Sequence, residues 1–154
     1  SFDAEGRMSL TCRLGAGADL LIEAPGLRSL YLRQASGSLT PVLESAFDFT
    51  VRLRGTRALR NDLGAYETAV MPLLADDQPP LLARRSQGNL QAVADAARGA
   101  RFTAHVLGTW EVSLMVPTVT REGQFYMQAY PAGRLEIGPG DGGRVFEVDL
   151  PQLP

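Results

Sequence analysis

The sequence predicts a mainly β fold: an antiparallel barrel or sandwich of about ten short strands, with one short α-helix near 89–98. Three observations carry that expectation. Several segments alternate strictly between apolar and polar residues, glycine- and proline-marked turns recur at short intervals, and one stretch alone has helical spacing. At 154 residues the chain has the length of one domain, 1–154, and can bury a core without disulfide or metal staples. Hydrophobic residues make up 45% and charged residues 21%, which excludes a disordered chain.

The first strand is the clearest. Met8, Leu10, Cys12 and Leu14 fall on one face and Arg7, Ser9, Thr11 and Arg13 on the other. Gly15-Ala16-Gly17 is expected to turn the chain into a strand at 19–23, and Pro25-Gly26 into another at 27–34. Ser36-Gly37-Ser38 reads as the next turn, followed by strands at 39–44 and 47–55. Residues 57–65 read as a loop, 66–74 as a strand, and 81–85, after Pro79-Pro80, as an edge strand at best. The helix is expected from Asn89 as N-cap, through Leu90, Val93, Ala94 and Ala97, to a stop at Gly99. Strands follow at 101–108, 110–119, 124–130, 134–138 and 144–150, separated by Glu122-Gly123, Pro131-Ala132-Gly133 and the glycine-rich run 138–143. The expected core is Met8, Leu10, Leu14, Leu30, Leu32, Phe49, Val51, Leu53, Phe102, Val106, Val112, Leu114, Phe125, Phe146 and Val148.

An internal repeat relates 47–74 to 100–131. Phe49, Thr50, Gly55 and Thr56 fall on Phe102, Thr103, Gly108 and Thr109 in register, and Pro72 falls on Pro131. Two related meanders joined by the helix would follow from it.

The residues of chemistry are few. His105 is the sole histidine, which leaves no multi-histidine metal site, and Cys12 is the sole cysteine, which leaves no internal disulfide and no cysteine-based zinc site. A Cys12 and His105 nucleophile pair is formally available, but apolar neighbours on its strand face make Cys12 an expected packing residue. Gly15-Ala16-Gly17 begins like a dinucleotide fingerprint, yet Leu20 stands where the third glycine belongs. The 138–143 run could cradle an anion with its backbone donors, although a long hairpin loop explains it as simply. No catalytic residue, metal ligand or small-molecule cofactor is expected.

No apolar run reaches the roughly 18 residues of a membrane span, and no signal peptide is evident. The start at Ser1 and the end at Leu153-Pro154 suggest a piece of a longer chain, and one free thiol suits a cytosolic protein as well as an exported domain. All 15 basic residues are arginine, and isoleucine occurs only at Ile22 and Ile137, as GC-rich codon usage in a bacterial genome would give. The net charge of −2 provides no global attraction to nucleic acid.

One segment carries a positive signal. Between Phe47 and Arg60, four arginines (Arg52, Arg54, Arg57 and Arg60) stand against Asp48 alone, a local excess of +3, and Arg52 and Arg54 share a strand face. Together with Tyr126 and Tyr130 on a later strand, these are the materials of a single-stranded nucleic-acid or other polyanion groove, where charge follows the backbone and rings stack on bases. Short strands, glycine corners and one helix resemble, in architecture alone, the oligonucleotide/oligosaccharide-binding (OB-like) barrel. The sequence therefore leads to two expectations: a non-enzymatic module binding single-stranded nucleic acid, or a protein-interaction β domain of a larger envelope or surface assembly, with oligomerisation open.

Overall fold

The computed structural model describes residue 4 and residues 8–9, 12–55, 67–73, 90–92 and 99–151. Among these the fold is mainly β. The strands are β1 (Met8–Ser9), β2 (Cys12–Ile22), β3 (Leu30–Leu39), β4 (Val42–Leu43), β5 (Phe47–Arg54), β6 (Glu67–Pro72), β7 (Leu90–Ala92), β8 (Ala100–Ala104), β9 (Gly108–Val119), β10 (Phe125–Ile137) and β11 (Val145–Asp149). The chain divides into two compact units, Ser1–Phe47 with Ala104–Val106, and Asp48–Thr103 with Leu107–Pro154.

In the first unit β2 pairs with β3 and β1 with β4, both antiparallel. The turns expected at Gly15-Ala16-Gly17 and Ser36-Gly37-Ser38 do not reverse the chain. The two strands run through them, paired at Leu14↔Gly37 and Ala18↔Ala35, so residues 15–17 bulge opposite Ser36 alone. Gly17 and Gly37 supply the positive φ that this irregularity needs, 74° and 77°. A second shift, between Ala18 and Leu20, leaves Gln34 at φ 50°, the one non-glycine residue with positive φ among those described. Asp19 braces it: Gln34 N–H and the Tyr31 hydroxyl each donate to its carboxylate at 3.0 Å. Pro25-Gly26 does turn the chain, closed by Leu27 N–H to Ala24 C=O, and Ile22, Leu27 and Leu43 form the small core with Leu20, Ala24 and Leu30 against it. Leu30 and Leu32 are thus only half-buried.

The second unit holds a sheet of order β10-β9-β6-β7 and one of order β11-β5-β8. No sheet closes into a barrel among the described residues. On β5, Phe49, Val51 and Leu53 are buried, as alternation predicts, and Phe49 meets Phe102 of β8 and Phe146 of β11. Phe49 also meets the edge of Trp110 of β9, with ring centroids 5.6 Å apart, so the core side of β5 and that of β9 share one apolar layer. Trp110, Val70, Leu135 and Ile137 are core residues beyond those expected, whereas Phe125 is exposed and Val106 half-buried. Met8 and Leu14 have side chains outside the described set, and Leu10 lies outside it altogether.

Three expectations are corrected. Leu90–Ala92 is a strand rather than the first turn of a helix, with Thr68↔Gln91 and Ala69↔Leu90 in register on β6. A helix with that stripe of small apolar residues would bury little, whereas beside β6 three residues join a backbone ladder; Asn89 and 93–98 lie outside the described residues. Pro131-Ala132-Gly133 is a bulge inside a thirteen-residue β10, not a turn between two strands. Finally, β11 joins β5 in parallel, Phe146↔Val51 and Val148↔Leu53, so the sheets are not wholly antiparallel. The first members of the repeat, Phe49 and Phe102, sit on neighbouring strands with ring centroids 5.9 Å apart, and β6 and β10 flank β9 on either side. The segments expected as a loop at 57–65 and an edge strand at 81–85 lie outside the described residues.

Candidate binding surfaces

Arg52 and Arg54 project from the outer face of β5, opposite Phe49, Val51 and Leu53. Their side chains are 40% and 53% exposed. The parallel strand β11 sets Glu147 beside Arg52 and Asp149 beside Arg54. Arg52 Nη1 lies 3.6 Å from Glu147, and Arg54 reaches both Glu147 at 3.5 Å and Asp149 at 3.2 Å. On the other flank, Asp48 accepts from the Thr103 hydroxyl at 2.7 Å and pairs with Arg101 at 2.5 Å. Among the described residues of this face, three arginines thus meet three carboxylates. Cross-strand pairs of opposite charge steady a sheet by roughly 0.2–1 kcal/mol each, and exposed ones sit at the low end. Arg52 and Arg54 are thus balanced by carboxylates across the strand, while among the described residues Arg52 Nε has no hydrogen-bond partner.

Arg57 and Arg60 lie outside the described residues. Tyr126 and Tyr130 stand on β10, in the other sheet, at Tyr126↔Thr118 and Tyr130↔Leu114. Leu114 and Trp110 belong to the same face of β9, and Trp110 packs on Phe49. The tyrosines therefore share the core side of their sheet, whereas Arg52 and Arg54 look away from that core. Among the described residues the structure thus sets Arg52 and Arg54 apart from Tyr126 and Tyr130.

The glycine-rich run between β10 and β11 uses its own donors. Gly138 N–H donates to Asp141 Oδ2 at 2.7 Å, and Arg144 Nη1 bonds Asp141 Oδ1 at 2.9 Å while its guanidinium lies 4.6 Å from the Phe146 ring centroid. Gly143 N–H donates to the Asp48 carbonyl at 2.7 Å. The Asp141 carboxylate occupies the place an anion would take. The Gly138 N–H and then Arg144 hold the Asp141 carboxyl below its ordinary range, as the Gln34 N–H and then the Tyr31 hydroxyl do for Asp19.

Both folded-state pKa values are depressed, so the stabilisation is fully present above the unfolded value and is lost as pH falls through the folded ones, in the acid range below about 4. Asp19→Asn with Asp141→Asn should flatten the acid limb of the unfolding midpoint against pH. Superimposable acid limbs for variant and wild type would remove these two carboxylates from the account.

His105 follows the end of β8, in a bend, so strand alternation does not govern it. It is half-buried, and its carbonyl accepts the Ser29 N–H at 2.8 Å. Cys12 begins β2 opposite Leu39, and its side chain is outside the described set. Among the described residues no three His, Cys, Asp or Glu side chains gather as a metal site, and no helix is long and apolar enough to cross a membrane.

The feature that sequence reading missed is the far end of the β9–β10 hairpin. Phe125 is 62% exposed, its cross-strand partner Val119 is 42% exposed and Tyr126 is 41% exposed. Among the described residues β10 is also the last strand of its sheet, and over 125–133 it carries no charged residue. Edge strands normally carry charge, which blocks pairing with another chain. The signal was present in Phe125-Tyr126-Met127-Gln128-Ala129-Tyr130, but alternation assigned Phe125 to the core, and edge position is not written in a strand's own residues. Compared with protein-family models, curated proteins and solved structures, the chain matches none.

Proposed function

We propose that this chain is a non-enzymatic protein-docking β module, with two sheets packed as a sandwich, that receives an extended protein strand along the outer edge of β10. The observation that carries this reading is the uncharged stretch 125–133 of this edge strand, with Phe125, Val119 and Tyr126 exposed at its hairpin end. Strand addition derives affinity from main-chain hydrogen bonds and specificity from alternate side chains, and β10 offers both. A photoreactive phenylalanine analogue at position 125 should give a discrete protein adduct in cells, lost when Met127→Pro blocks the edge. The same group at position 147, on the charge-paired face, should give none. Equal adducts at both positions, or none at 125, would overturn the reading.

A second reading, polyanion binding on the arginine face in the manner of an OB-like module, draws on the half-exposed Arg52 and Arg54. It requires phosphates to displace Glu147 and Asp149 from Arg52 and Arg54. Fluorescence anisotropy with a labelled single-stranded oligonucleotide at low salt should therefore show no binding, and Arg52→Ala with Arg54→Ala should change nothing. Binding that weakens in the double variant and falls with salt, by a slope of roughly −0.7 per phosphate contacted, would establish the polyanion site instead.

A further inference from the structure

We infer that the strand received by β10 is β10 of a second copy of this chain, paired antiparallel about a two-fold axis at Gln128; the inference rests on the docking reading above.

The backbone identifies which groups are on offer. At the hairpin end Thr120 N–H donates to the Gln124 carbonyl, which makes 120 and 124 a hydrogen-bonded pair. The register then runs without a shift through Phe125↔Val119, Tyr126↔Thr118, Gln128↔Val116 and Tyr130↔Leu114 to Pro131↔Ser113. Hydrogen-bonded and non-hydrogen-bonded pairs alternate in an antiparallel ladder. Gln124, Tyr126, Gln128 and Tyr130 therefore bond to β9, and Phe125, Met127, Ala129 and Pro131 turn their backbone groups outward. Pro131 agrees independently, because proline belongs where the missing N–H would face away from the sheet. Among the described residues no strand pairs with this outer edge.

Outward groups can pair only with outward groups, so a self-pairing must be centred on a residue and not between two. Centring on Gln128 places Met127 opposite Ala129 of the second copy, each exchanging backbone hydrogen bonds. It also places Tyr126 opposite Tyr130 of the second copy, twice by symmetry, in the non-hydrogen-bonded positions where side chains approach closest. Gln128 meets its own symmetry mate, and two carboxamides can both donate and accept. The paired stretch has no charge to repel its copy. Its flanks, Arg121-Glu122 before it and Arg134 with Glu136 after it, each carry one charge of either sign. Beyond Pro131 the bulge ends the regular edge, which limits the contact to the segment around this axis. A two-fold contact of one patch with itself is the commonest closed form of association.

Sedimentation velocity on the purified chain at micromolar concentrations should show a dimer. Gln128→Lys sets two ammonium groups against each other at the axis and should weaken dimerisation roughly tenfold or more, whereas Gln128→Thr keeps it. Far-ultraviolet circular dichroism and the thermal midpoint check that the lysine variant folds. The register is read separately with Gln128→Cys in a Cys12→Ser background. Directly opposed residues of a non-hydrogen-bonded pair have Cα atoms about 4.5 Å apart, within the disulfide range of roughly 4.4–6.8 Å. Mild oxidation should therefore link two copies through position 128, and much more slowly through Met127→Cys. A wild-type monomer, or crosslinking no faster at 128 than at 127, overturns the inference. If the purified chain stays monomeric while position 125 still captures a different protein in cells, the docking reading survives and self-pairing does not.

Discussion

Phe49→Ala should destabilise the protein by about 3–5 kcal/mol, the usual cost of truncating a fully buried aromatic residue that its neighbours cannot collapse onto. Phe49 is the ring at which the core converges. Phe102 and Phe146 flank it from β8 and β11, and Trp110 meets it from the other sheet, all with centroids within 6 Å. Removing it leaves a cavity walled by rigid rings on strands held in register, so little relaxation is available. For a chain of this size the thermal midpoint should fall by roughly 6–20 °C. Natural domains hold only about 5–15 kcal/mol in total, so the variant should sit near the limit of folding. Circular dichroism melts check this, and a shift of a degree or two would mean that Phe49 is not the centre of the core.

Gly99→Ala should be the second large loss. Gly99 enters β8 at φ 75°, and a Cβ there would lie 2.7 Å from the Val51 carbonyl oxygen and 2.9 Å from Thr50 Cγ2. The left-handed conformation alone costs an L-residue roughly 1–2 kcal/mol. The approach to the β5 backbone adds to it, because a carbonyl inside a sheet cannot move aside as a flexible side chain can. Gly123 separates the two effects: its φ is 81°, yet nothing lies within 4 Å of its Cβ position. Gly123→Ala should therefore show the conformational cost and Gly99→Ala visibly more. Equal urea midpoints for the two variants would show that β5 does not crowd Gly99.

The same glycine shows where sequence reading stopped. Gly99 after an apolar helical stripe reads as a helix stop, but its conformation serves a close strand approach. Leu90–Ala92 behaves likewise: the start of a segment whose Leu90, Val93, Ala94 and Ala97 have helical spacing pairs as a strand with the flank of β6. Gly15-Ala16-Gly17 and Pro131-Ala132-Gly133 have the composition of turns and form bulges instead. At Gly17 the bulge uses the positive φ that a turn would also use, and at both places the partner strand decides whether the chain continues or reverses. For the candidate sites, Arg52 and Arg54 do share an exposed face, as their spacing requires. Their partners, Glu147 and Asp149, are some 95 residues away and reach them through a parallel pairing that no local pattern announces.

The sequence by itself determined the mainly β character, the inward face of β5 with Phe49, Val51 and Leu53, the Pro25-Gly26 turn, and the place of the β9–β10 turn near Glu122-Gly123. These follow from side-chain alternation and from backbone freedom, both properties of neighbouring residues. Only the tertiary structure decided that Glu147 and Asp149 pair with Arg52 and Arg54, that Asp141 accepts the Gly138 N–H inside the glycine run, and that among the described strands β10 is an edge with Phe125 exposed. Each of those depends on which distant strand lies alongside. That choice is made by burial of the whole core and by pairing of every strand flank together, and no single segment encodes it.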